Sequence, residues 1–235
     1  MQIEIWSDFA CPFCYIGKRR FEKALEQFPH RDQVDVVYRS FELDPDTPKE
    51  LPYDVHDMLS KKYGMSRSQA IANNANVGHQ AAEEGLDFQF DRIALTNTFD
   101  AHRLSHFAGK HGKRAEVTEL LFKGYFTDGS NLSDRDYLLE VAAAAGLDRQ
   151  EAAAVLAGSQ YADEVRNDEE TAGRLGVRGV PFYVMNRKYG VSGAQPLSVF
   201  VSALQQAWDD SQTIQVVESA DGSACTDDSC AIDGK

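Results

Sequence analysis

The sequence predicts an α/β fold in which two regions with strands flank a long helical block. The chain begins with a strand–helix–strand pattern, and a strand–turn–strand–helix pattern follows the block. Within the block, apolar residues recur at spacings of three and four, the period of an amphipathic helix. With 235 residues, 43% of them hydrophobic, the chain can bury a sizeable core as one large domain or two small ones.

The strand–helix–strand pattern occupies the first part of the chain. The first predicted strand is IEIWSDF, in which Ile3, Ile5 and Phe9 are apolar positions. The segment YIGKRRFEKALEQF has the helical period and places Tyr15 and Phe21 on one buried face. VDVVYRSFELDP, rich in β-branched and aromatic residues, is the second predicted strand. This order predicts two parallel strands joined by a right-handed crossover.

Helices are predicted across residues 48–173, where successive segments between glycines show the three-and-four spacing. Ser66, Ser133 and Asp148 are the predicted N-caps of three of these helices. Glycines are the predicted helix ends, at Gly64, Gly85, Gly112, Gly129 and Gly146.

The apolar period changes to two in VRGVPFYVMNRKYGVSGAQP, which predicts two strands joined by a turn at 186–188. Pro181 lies at the entrance to the first of these strands, where it cannot donate a hydrogen bond to the ladder. From its position alone, a trans proline that begins an edge strand fits as well as a cis-proline in a tight approach to an active site. Together with the Cys-x-x-Cys motif at 11–14, this position favours a cis bond between Val180 and Pro181. The segment PLSVFVSALQQAW predicts a closing helix.

These elements predict one domain built from residues 1–47 and 174–208, interrupted by a helical insertion domain at 48–173. Residues 209–235 hold six Asp and one Glu against a single Lys. Low hydrophobicity with high charge predicts a mobile acidic tail.

The charge balance excludes one broad class of function. A net charge of −13 argues against general nucleic-acid binding, which needs clustered Lys and Arg. No apolar run approaches the roughly 18 residues of a membrane span, and the N-terminus lacks the pattern of a secretory signal. We expect a cytoplasmic protein, in which a cysteine pair is more often catalytic or metal-bound than a static disulfide.

The most informative motif is the tetrad Cys11-Pro12-Phe13-Cys14, between the first strand and the first helix. This order puts Cys11 on the first turn of the helix, where unpaired N–H groups and the helix dipole stabilise an anion. The thiolate is the reactive form of cysteine, and Cys14 follows within disulfide reach. Pro12 suits an early helical position, since its missing N–H would lack a partner there. The tetrad predicts a catalytic dithiol that cycles to a disulfide.

A structural zinc half-site is the alternative interpretation of the tetrad, since Cys-x-x-Cys also occurs in zinc knuckles. A closed site needs two further ligands, and the only other cysteines are Cys225 and Cys230. Zinc knuckles usually lie on tight loops, whereas this pair opens a long helix. We favour redox chemistry and expect neither a resident metal nor a cofactor.

The order βαβ, helical block and ββα resembles thioredoxin with a helical insertion between its halves. Three runs are similar to the DsbA-family oxidoreductases of the FrnE-like group: SDFACPFCYIGKRRFE, LTNTFDAHRLSHFAG and GVRGVPFYVMNRKYGVSGAQP. That group is related to 2-hydroxychromene-2-carboxylate isomerases and kappa-class glutathione transferases. The resemblance covers essentially residues 1–208.

The resemblance implies thiol–disulfide exchange or disulfide isomerisation with protein substrates. Cys11 is then the attacking thiolate and Cys14 the resolving thiol. It also implies that the loop at Val180 and Pro181 faces the tetrad and helps to hold the substrate backbone. We include Pro12 and Phe13, the two residues between the cysteines, among the predicted substrate contacts.

The identity of Phe13 bears on the redox potential. DsbA itself carries Pro-His between its cysteines, and a histidine there can help to stabilise the thiolate. The chain has Phe13 instead, so we expect a potential below the roughly −120 mV of DsbA and toward the roughly −270 mV of thioredoxin.

Two other functions stay open. In the isomerase and transferase relatives a serine generally occupies the position of Cys11, and glutathione is bound. A glutathione-dependent isomerase or transferase acting on a small aromatic compound is therefore the main alternative, and glutathione or a thioredoxin-type reductant is a candidate partner. A metal-responsive binding protein that uses its four thiols without turnover is the other. Either a monomer or a homodimer fits the sequence.

The pair Cys225 and Cys230 in the predicted tail is a candidate second redox pair. A mobile tail could exchange with Cys11–Cys14 at an effective concentration set by the linker, and some members of the FrnE-like group carry such a pair. Against this role, Asp227 and Asp228 raise the thiol pKa and slow attack by these sulfurs. A bystander pair or a soft-metal site is the alternative.

Two histidines, His102 and His106, are four residues apart in a predicted helix, the spacing of a zinc-binding face. No Glu follows His102 as it does in zinc proteases, so we interpret both as solvated or capping residues. Asn97 and His102 lie in the run shared with the isomerase group and are candidates for lining the substrate groove.

Overall fold

A four-stranded mixed sheet lies at the centre of the protein, as a computed structural model that describes residues 1–49 and 51–212 shows. Its strands are β1 (Gln2–Ser7), β2 (Asp35–Ser40), β3 (Phe182–Met185) and β4 (Tyr189–Ser192), in the order β2-β1-β3-β4. β1 pairs in parallel with β2 and antiparallel with β3, and β4 pairs antiparallel with β3. The predicted parallel crossover and the predicted C-terminal strand pair are both confirmed.

The helices account for most of the described chain. The first connects β1 to β2, the next seven lie between β2 and β3, and the last follows β4. They are α1 (Pro12–Gln27), α2 (Val55–Tyr63), α3 (Arg67–Glu83), α4 (Phe99–Lys110), α5 (Arg114–Lys123), α6 (Arg135–Ala144), α7 (Arg149–Ala157), α8 (Ala162–Arg174) and α9 (Leu197–Ser211). This is the predicted thioredoxin-like α/β fold with a large all-α insertion. In the part of the chain that the structure describes, no helix is both long and apolar enough to span a membrane.

Most predicted helix boundaries agree with the structure. Ser66 forms a reciprocal capping box with Gln69, and Asp148 accepts hydrogen bonds from two backbone amides of the first turn of α7. The predicted cap at Ser133 is wrong by one residue, because the side chain of Asp134 makes the capping bonds. The predicted glycine stops all have positive φ: Gly64, Gly85, Gly112, Gly129 and Gly146.

β2 is shorter than the sequence predicts, because it ends at Ser40, four residues before the predicted end at Asp44. Phe41 N still donates to the Ser7 carbonyl, but the next two amides donate to carboxylate side chains, Glu42 N to Glu169 and Leu43 N to Asp8. The domain division stays a prediction. The candidate pair Cys225 and Cys230 lies outside the described residues, as does the predicted tail from 213 onward.

Alternation along β1 divides the core into two faces. Ile3 and Ile5 pack with Phe21 of α1 and Phe200 of α9 on one face of the sheet. Trp6 packs on the opposite face with residues around α8, and its indole N–H donates to the carbonyl of Asp168 at 2.8 Å. The period-two pattern of the first strand therefore reflects a sheet covered on both sides.

Glu4, on the same face of β1 as Trp6, is a buried charge that the hydrophobic pattern does not predict. Its carboxylate accepts hydrogen bonds from Arg39 of β2 at 2.8 and 3.0 Å, and from Arg187 of the β3–β4 turn at 2.6 and 2.8 Å. Burial acts to raise the pKa of Glu4, but the two guanidinium groups outweigh it and lower the pKa. A buried carboxylate with several charge-assisted bonds is the arrangement in which such a group is tolerated.

A second ionic cluster ties α1 to the helical insertion. The carboxylate of Glu119 on α5 accepts hydrogen bonds from the Tyr15 hydroxyl at 2.6 Å, from Lys18 Nζ at 2.6 Å, and from Arg19. Burial acts to raise the pKa of Glu119, yet the hydrogen bonds from Arg19, Lys18 and Tyr15 lower it to about 2. The helix that begins at the cysteine tetrad is thereby held to the insertion.

The packing of α1 on β3 leaves no room for a side chain at Gly17. A Cβ atom there would lie 2.7 Å from the Tyr183 hydroxyl oxygen and 3.1 Å from Pro181 Cγ. Tyr183 is fully buried and the proline ring is rigid, so neither can easily move away.

We therefore expect Gly17→Ala to lower the free energy of unfolding by about 1–3 kcal/mol, through overpacking between helix and strand. Gly173→Ala is the matched control, because Gly173 is helical and exposed and a Cβ there meets nothing within 4 Å. That control should be unchanged or more stable by up to about 1 kcal/mol. Urea unfolding followed by circular dichroism checks both, and equal stability of Gly17→Ala and wild type would contradict the argument.

The Glu119 cluster gives a pH-dependent prediction. Since its folded-state pKa lies near 2, below the usual 4.5, the group stabilises the fold fully above pH 4.5 and loses that contribution as the pH falls toward 2. Glu119→Gln should lower the free energy of unfolding by about 1–2 kcal/mol at neutral pH, a value reduced for solvent screening. The difference from wild type should shrink on acidification.

Urea unfolding at several pH values measures this difference. Glu116→Gln on the same helix is the control, because Glu116 is exposed and pairs with Lys113 alone among the described residues. A Glu119→Gln deficit that does not change with pH would show that the carboxylate charge is not its cause.

Candidate active site

The two cysteines of the tetrad lie at the start of α1, where the sequence predicts them. Cys11 is the N-cap residue, in extended conformation, and α1 begins at Pro12. Cys11 therefore precedes the first turn by one residue rather than lying on it. Both are free thiols and both are buried, with 4% of Cys11 and 2% of Cys14 exposed. The first N–H groups of α1 lie next to Cys11, whose side chain forms no capping hydrogen bond with them.

The loop before β3 lies against Cys11. The peptide bond between Val180 and Pro181 is cis, as predicted. The sulfur of Cys11 lies 3.5 Å from the carbonyl oxygen of Val180, in hydrogen-bond contact. The predicted approach of this loop to the tetrad is confirmed.

Cys14 is almost completely buried. Burial raises the pKa of Cys14 well above its usual value, and hydrogen bonding and charge interaction with Cys11 raise it further. The Ser7 hydroxyl and the backbone amide of Asp8 act in the opposite direction. Cys14 is therefore held as a thiol, and its proton must leave before its sulfur can act as a nucleophile.

The two residues between the cysteines form the outer face of the site. Phe13 is 40% exposed, which is unusual for a large aromatic side chain in a protein with a well-formed core. Pro12 is half-buried and lines a neighbouring cavity. Together they offer an apolar surface beside the Cys11 sulfur.

A cavity of about 290 Å³ opens beside the tetrad, between the sheet and the insertion. Its lining is mainly apolar and aromatic and includes Ala10, Pro12, Tyr53, Met58, Phe90 and Tyr125. Charged groups also line it, among them Asp44, Asp46 and Lys62. Its size is at the lower end of the range for small-ligand sites, which is roughly 300–1,000 Å³.

Asp8 is a residue near the tetrad that sequence reasoning did not assign, and it lies beside His102, a predicted groove residue. Asp8 is buried three residues before Cys11 and accepts hydrogen bonds from Ala10 N at 3.3 Å and Leu43 N at 2.8 Å. His102 of α4 is 3% exposed, and its Nε2 lies 3.5 Å from Asp8 Oδ1, near enough for attraction when the ring is charged. The His102 ring packs on Phe9 with 4.7 Å between ring centroids.

The interpretation of His102 and His106 as solvated or capping residues is wrong, because both are buried. His106 Nε2 lies 3.1 Å from Ser40 Oγ and 3.1 Å from Asp168 Oδ2, and its Nδ1 lies 3.0 Å from an Arg114 nitrogen. The helical spacing puts both rings on the face of α4 that packs toward β2. The sequence alone did not show that His106 meets Asp168, because Asp168 lies on α8, far along the chain.

The other proposed groove residue, Asn97, has a local structural role. Its side-chain nitrogen donates to the carbonyl of Pro45 at 3.2 Å, and its side-chain oxygen accepts from Phe99 N at 2.9 Å. Asn97 therefore joins the start of α4 to the loop after β2. It is not among the residues that line the cavity beside the tetrad.

The described residues bear on the zinc alternative in one respect. Within 1–49 and 51–212, no group of three or more His, Cys, Asp or Glu side chains is arranged to hold a metal ion. A site that recruits Cys225 and Cys230 would lie partly outside those ranges.

The chain is similar to several solved structures. A probable DsbA oxidoreductase of Streptomyces coelicolor, SCO1869, is 50% identical over 100% of both chains, with a TM-score of 0.88. A 2-hydroxychromene-2-carboxylate isomerase is 16% identical, covers 90% of this chain and 98% of its own, and has a TM-score of 0.70. The cytosolic disulfide reductase DsbM of Pseudomonas aeruginosa, solved with GSH, is 15% identical, covers 89% and 100%, and has a TM-score of 0.62.

The last two similarities show a shared fold alone, whereas the first extends to half of the residues. The family model of the DSBA-like thioredoxin domain matches residues 2–205. That range contains the tetrad, the cis-proline loop and the whole helical insertion. The protein therefore belongs to the DSBA-like thioredoxin domain family.

Proposed function

We propose that the protein is a thiol–disulfide oxidoreductase that cycles Cys11 and Cys14 between dithiol and disulfide. The observation that carries the proposal is the unequal placement of two free thiols at one helix terminus. Cys11 lies at the N-cap against the Val180 carbonyl, and Cys14 lies behind it as a buried thiol with a raised pKa. This inequality suits an attacking and a resolving cysteine.

In the reductive direction the Cys11 thiolate attacks one sulfur of a substrate disulfide. The substrate S–S bond breaks, one substrate sulfur leaves as a thiolate, and a mixed disulfide to Cys11 forms. Cys14 then loses its proton and attacks the Cys11 sulfur, which releases the second substrate thiolate and leaves a Cys11–Cys14 disulfide. The substrate gains two electrons, and the reverse sequence oxidises a substrate dithiol.

We propose protein disulfides or dithiols as the substrates, with glutathione or a thioredoxin-type reductant restoring the dithiol. Pro12, Phe13, Val180 and Pro181 are the proposed substrate contacts, supported by the exposure of Phe13 and by the Cys11–Val180 contact. Catalytic use of a cysteine pair fits a reducing compartment, so we propose that the protein works in the cytoplasm.

A glutathione-dependent isomerase or transferase is the second candidate. The cavity of about 290 Å³ beside Pro12 favours it, because its mainly apolar and aromatic lining suits a small aromatic compound. In this alternative Cys11 positions the glutathione thiolate and Cys14 is dispensable. The burial and raised pKa of Cys14 directly behind Cys11 support the dithiol cycle instead.

Replacement of the resolving cysteine separates the two candidates. Under the proposal, Cys14→Ser should lower disulfide turnover by about 100-fold or more, because the mixed disulfide to Cys11 no longer resolves. The measurement is insulin reduction and oxidative refolding of a reduced protein, with intact-mass detection of the trapped mixed disulfide. Full turnover by Cys14→Ser would favour the glutathione-dependent candidate.

The tail pair is tested in the same assays. We propose Cys225 and Cys230 as a second redox pair that exchanges with Cys11–Cys14. A Cys225→Ser/Cys230→Ser double variant should then turn over disulfides and dithiols more slowly than wild type. Unchanged rates would assign this pair no part in the relay.

Phe13, the second of the two residues between the cysteines, should influence the redox potential of the Cys11–Cys14 pair. Phe13→His should raise the potential by about 30 mV or more, equal to about tenfold in the equilibrium constant, because a histidine can stabilise the reduced, thiolate form. Equilibration in graded glutathione buffers, read by thiol alkylation and mass spectrometry of each cysteine, measures the shift. Phe13→Leu controls for loss of the ring and should stay near wild type; a Phe13→His midpoint equal to that of wild type would contradict the argument.

A further inference from the structure

A second, much smaller cavity lies behind the tetrad. It measures about 10 Å³ and lies where the end of β1, the end of β2 and the helices α4 and α5 meet. Ser7, Ser40, His102 and Thr118 contribute polar side chains to its lining. A cavity of roughly 10–15 Å³ has room for about one water molecule.

Two buried polar atoms at this cavity lack partners. His102 Nε2 and Thr118 Oγ1 have no hydrogen-bond partner among the described residues. Asp8 Oδ1, 3.5 Å from His102 Nε2, does not have hydrogen-bond geometry toward it. An unsatisfied buried polar atom costs about 1–3 kcal/mol, so two such atoms facing one cavity indicate a bound water that serves both.

The cavity is also connected to the resolving cysteine. Ser7 lines it, and the Ser7 side chain acts to lower the pKa of Cys14, against the effect of burial. A hydroxyl can donate one hydrogen bond and accept others, so Ser7 can receive a proton from one side while it passes its own to the other. The sequence of groups from Cys14 to His102 is therefore thiol, hydroxyl, water and imidazole.

We propose that a buried water in this cavity links Ser7 to His102, and that His102 accepts the proton of Cys14 when Cys14 resolves the mixed disulfide. This inference rests on the dithiol cycle proposed above and assigns His102 as the base of its second step. His102 contacts neither substrate nor cofactor, so it acts through Ser7 and the water on Cys14.

Each proton moves to the next group along this route. The Cys14 proton moves to Ser7, the Ser7 proton to the water, and a water proton to His102 Nε2. The Cys14 thiolate attacks the Cys11 sulfur, the bond between Cys11 and the substrate breaks, and the substrate leaves as a thiolate. The imidazolium returns its proton through the same groups when Cys14 is next reduced, so no further reactant is needed.

The charge surrounding His102 suits a transient imidazolium. Asp8 provides the nearest carboxylate, held in place by two backbone amides. Glu42 is a second buried carboxylate that interacts electrostatically with His102 and pairs with Arg166. The titratable or charged groups that face His102 or its cavity are Asp8, Cys14, Tyr38, Arg39, Glu42 and His106.

His106 does not offer the same route. One of its ring nitrogens lies against Ser40 and Asp168, and the other lies against Arg114, so both are already engaged. His102, one helical turn earlier, lines the cavity, and its Nε2 has no hydrogen-bond partner among the described residues. Arg39 lines the cavity, but its charge is engaged by Glu4 and Asp168.

The test follows the two chemical steps separately in the full chain carrying Cys225→Ser and Cys230→Ser. Ellman's reagent, an aromatic disulfide, releases one coloured thiolate when Cys11 attacks and a second when Cys14 resolves the mixed disulfide. Stopped-flow absorbance from about pH 5 to about pH 9 gives both rates across the range in which a histidine changes charge. His102→Gln and Thr118→Val are the variants, and His56→Gln is the control.

The control matches His102 in burial but not in place. His56 of α2 is buried, and its ring nitrogens lie 3.1 Å from Asn74 and 3.0 Å from Asp91. It does not line the small cavity. Thr118→Val preserves the shape of Thr118 and removes its hydroxyl, so it tests the water site even where His102→Gln does not fold.

The second release should slow by about 100-fold in His102→Gln near neutral pH, the lower end of the range expected for loss of a general base. The difference should narrow toward alkaline pH, where hydroxide competes as the base that takes the Cys14 proton. Thr118→Val should slow the same step by a smaller factor, and His56→Gln should retain the wild-type rate and pH profile.

A second release with wild-type rate and pH profile in Thr118→Val and in folded His102→Gln overturns the relay, while the dithiol cycle stands. Absence of any second release in the Cys225→Ser/Cys230→Ser parent overturns the cycle itself. Equal slowing in the His56→Gln control assigns the effect to general loss of packing and also overturns the relay.

Discussion

The close packing of α1 on β3 is the constraint on which the rest of the site depends. Gly17 permits the helix to approach Tyr183 and Pro181 without a side chain between them. This approach brings the first residues of the helix to the cis-proline loop, so that the Cys11 sulfur meets the Val180 carbonyl. The same packing encloses Cys14 and raises its pKa. The contact of one cysteine with the cis-proline loop and the burial of the other thus follow from one steric condition.

The helical insertion supplies chemistry to the site as well as cover. α4 contributes His102, buried against the residues that precede the tetrad, and α5 contributes Glu119, which holds three side chains of α1. These contacts place ionisable groups of the insertion on both sides of the active-site helix. Variation in the insertion can therefore change the ionisable groups near α1 and near the residues that precede the tetrad while the sheet keeps its geometry.

Local patterns predicted much of the fold, because each depends on residues close together in the chain. The tetrad, the period of α1 and the N-cap at Ser66 all belong to this kind. The polar interior could not be predicted in this way. His106 meets Asp168, and Asp8 meets His102, across long separations that no local period records. A histidine spacing of four shows that two rings share a helix face, but it does not show what that face meets.

The ion pairs of Glu4 have a consequence for synthesis of the chain on the ribosome. β1 is made first, yet its neighbour β3 and the guanidinium of Arg187 are made only after the entire insertion. Until then the Glu4 carboxylate has only Arg39 of its two cationic partners, and one edge of β1 has no strand beside it. β1 therefore lacks its β3 neighbour until the helical insertion has been made. The sheet can be completed, and the cis-proline loop placed against Cys11, only after that point.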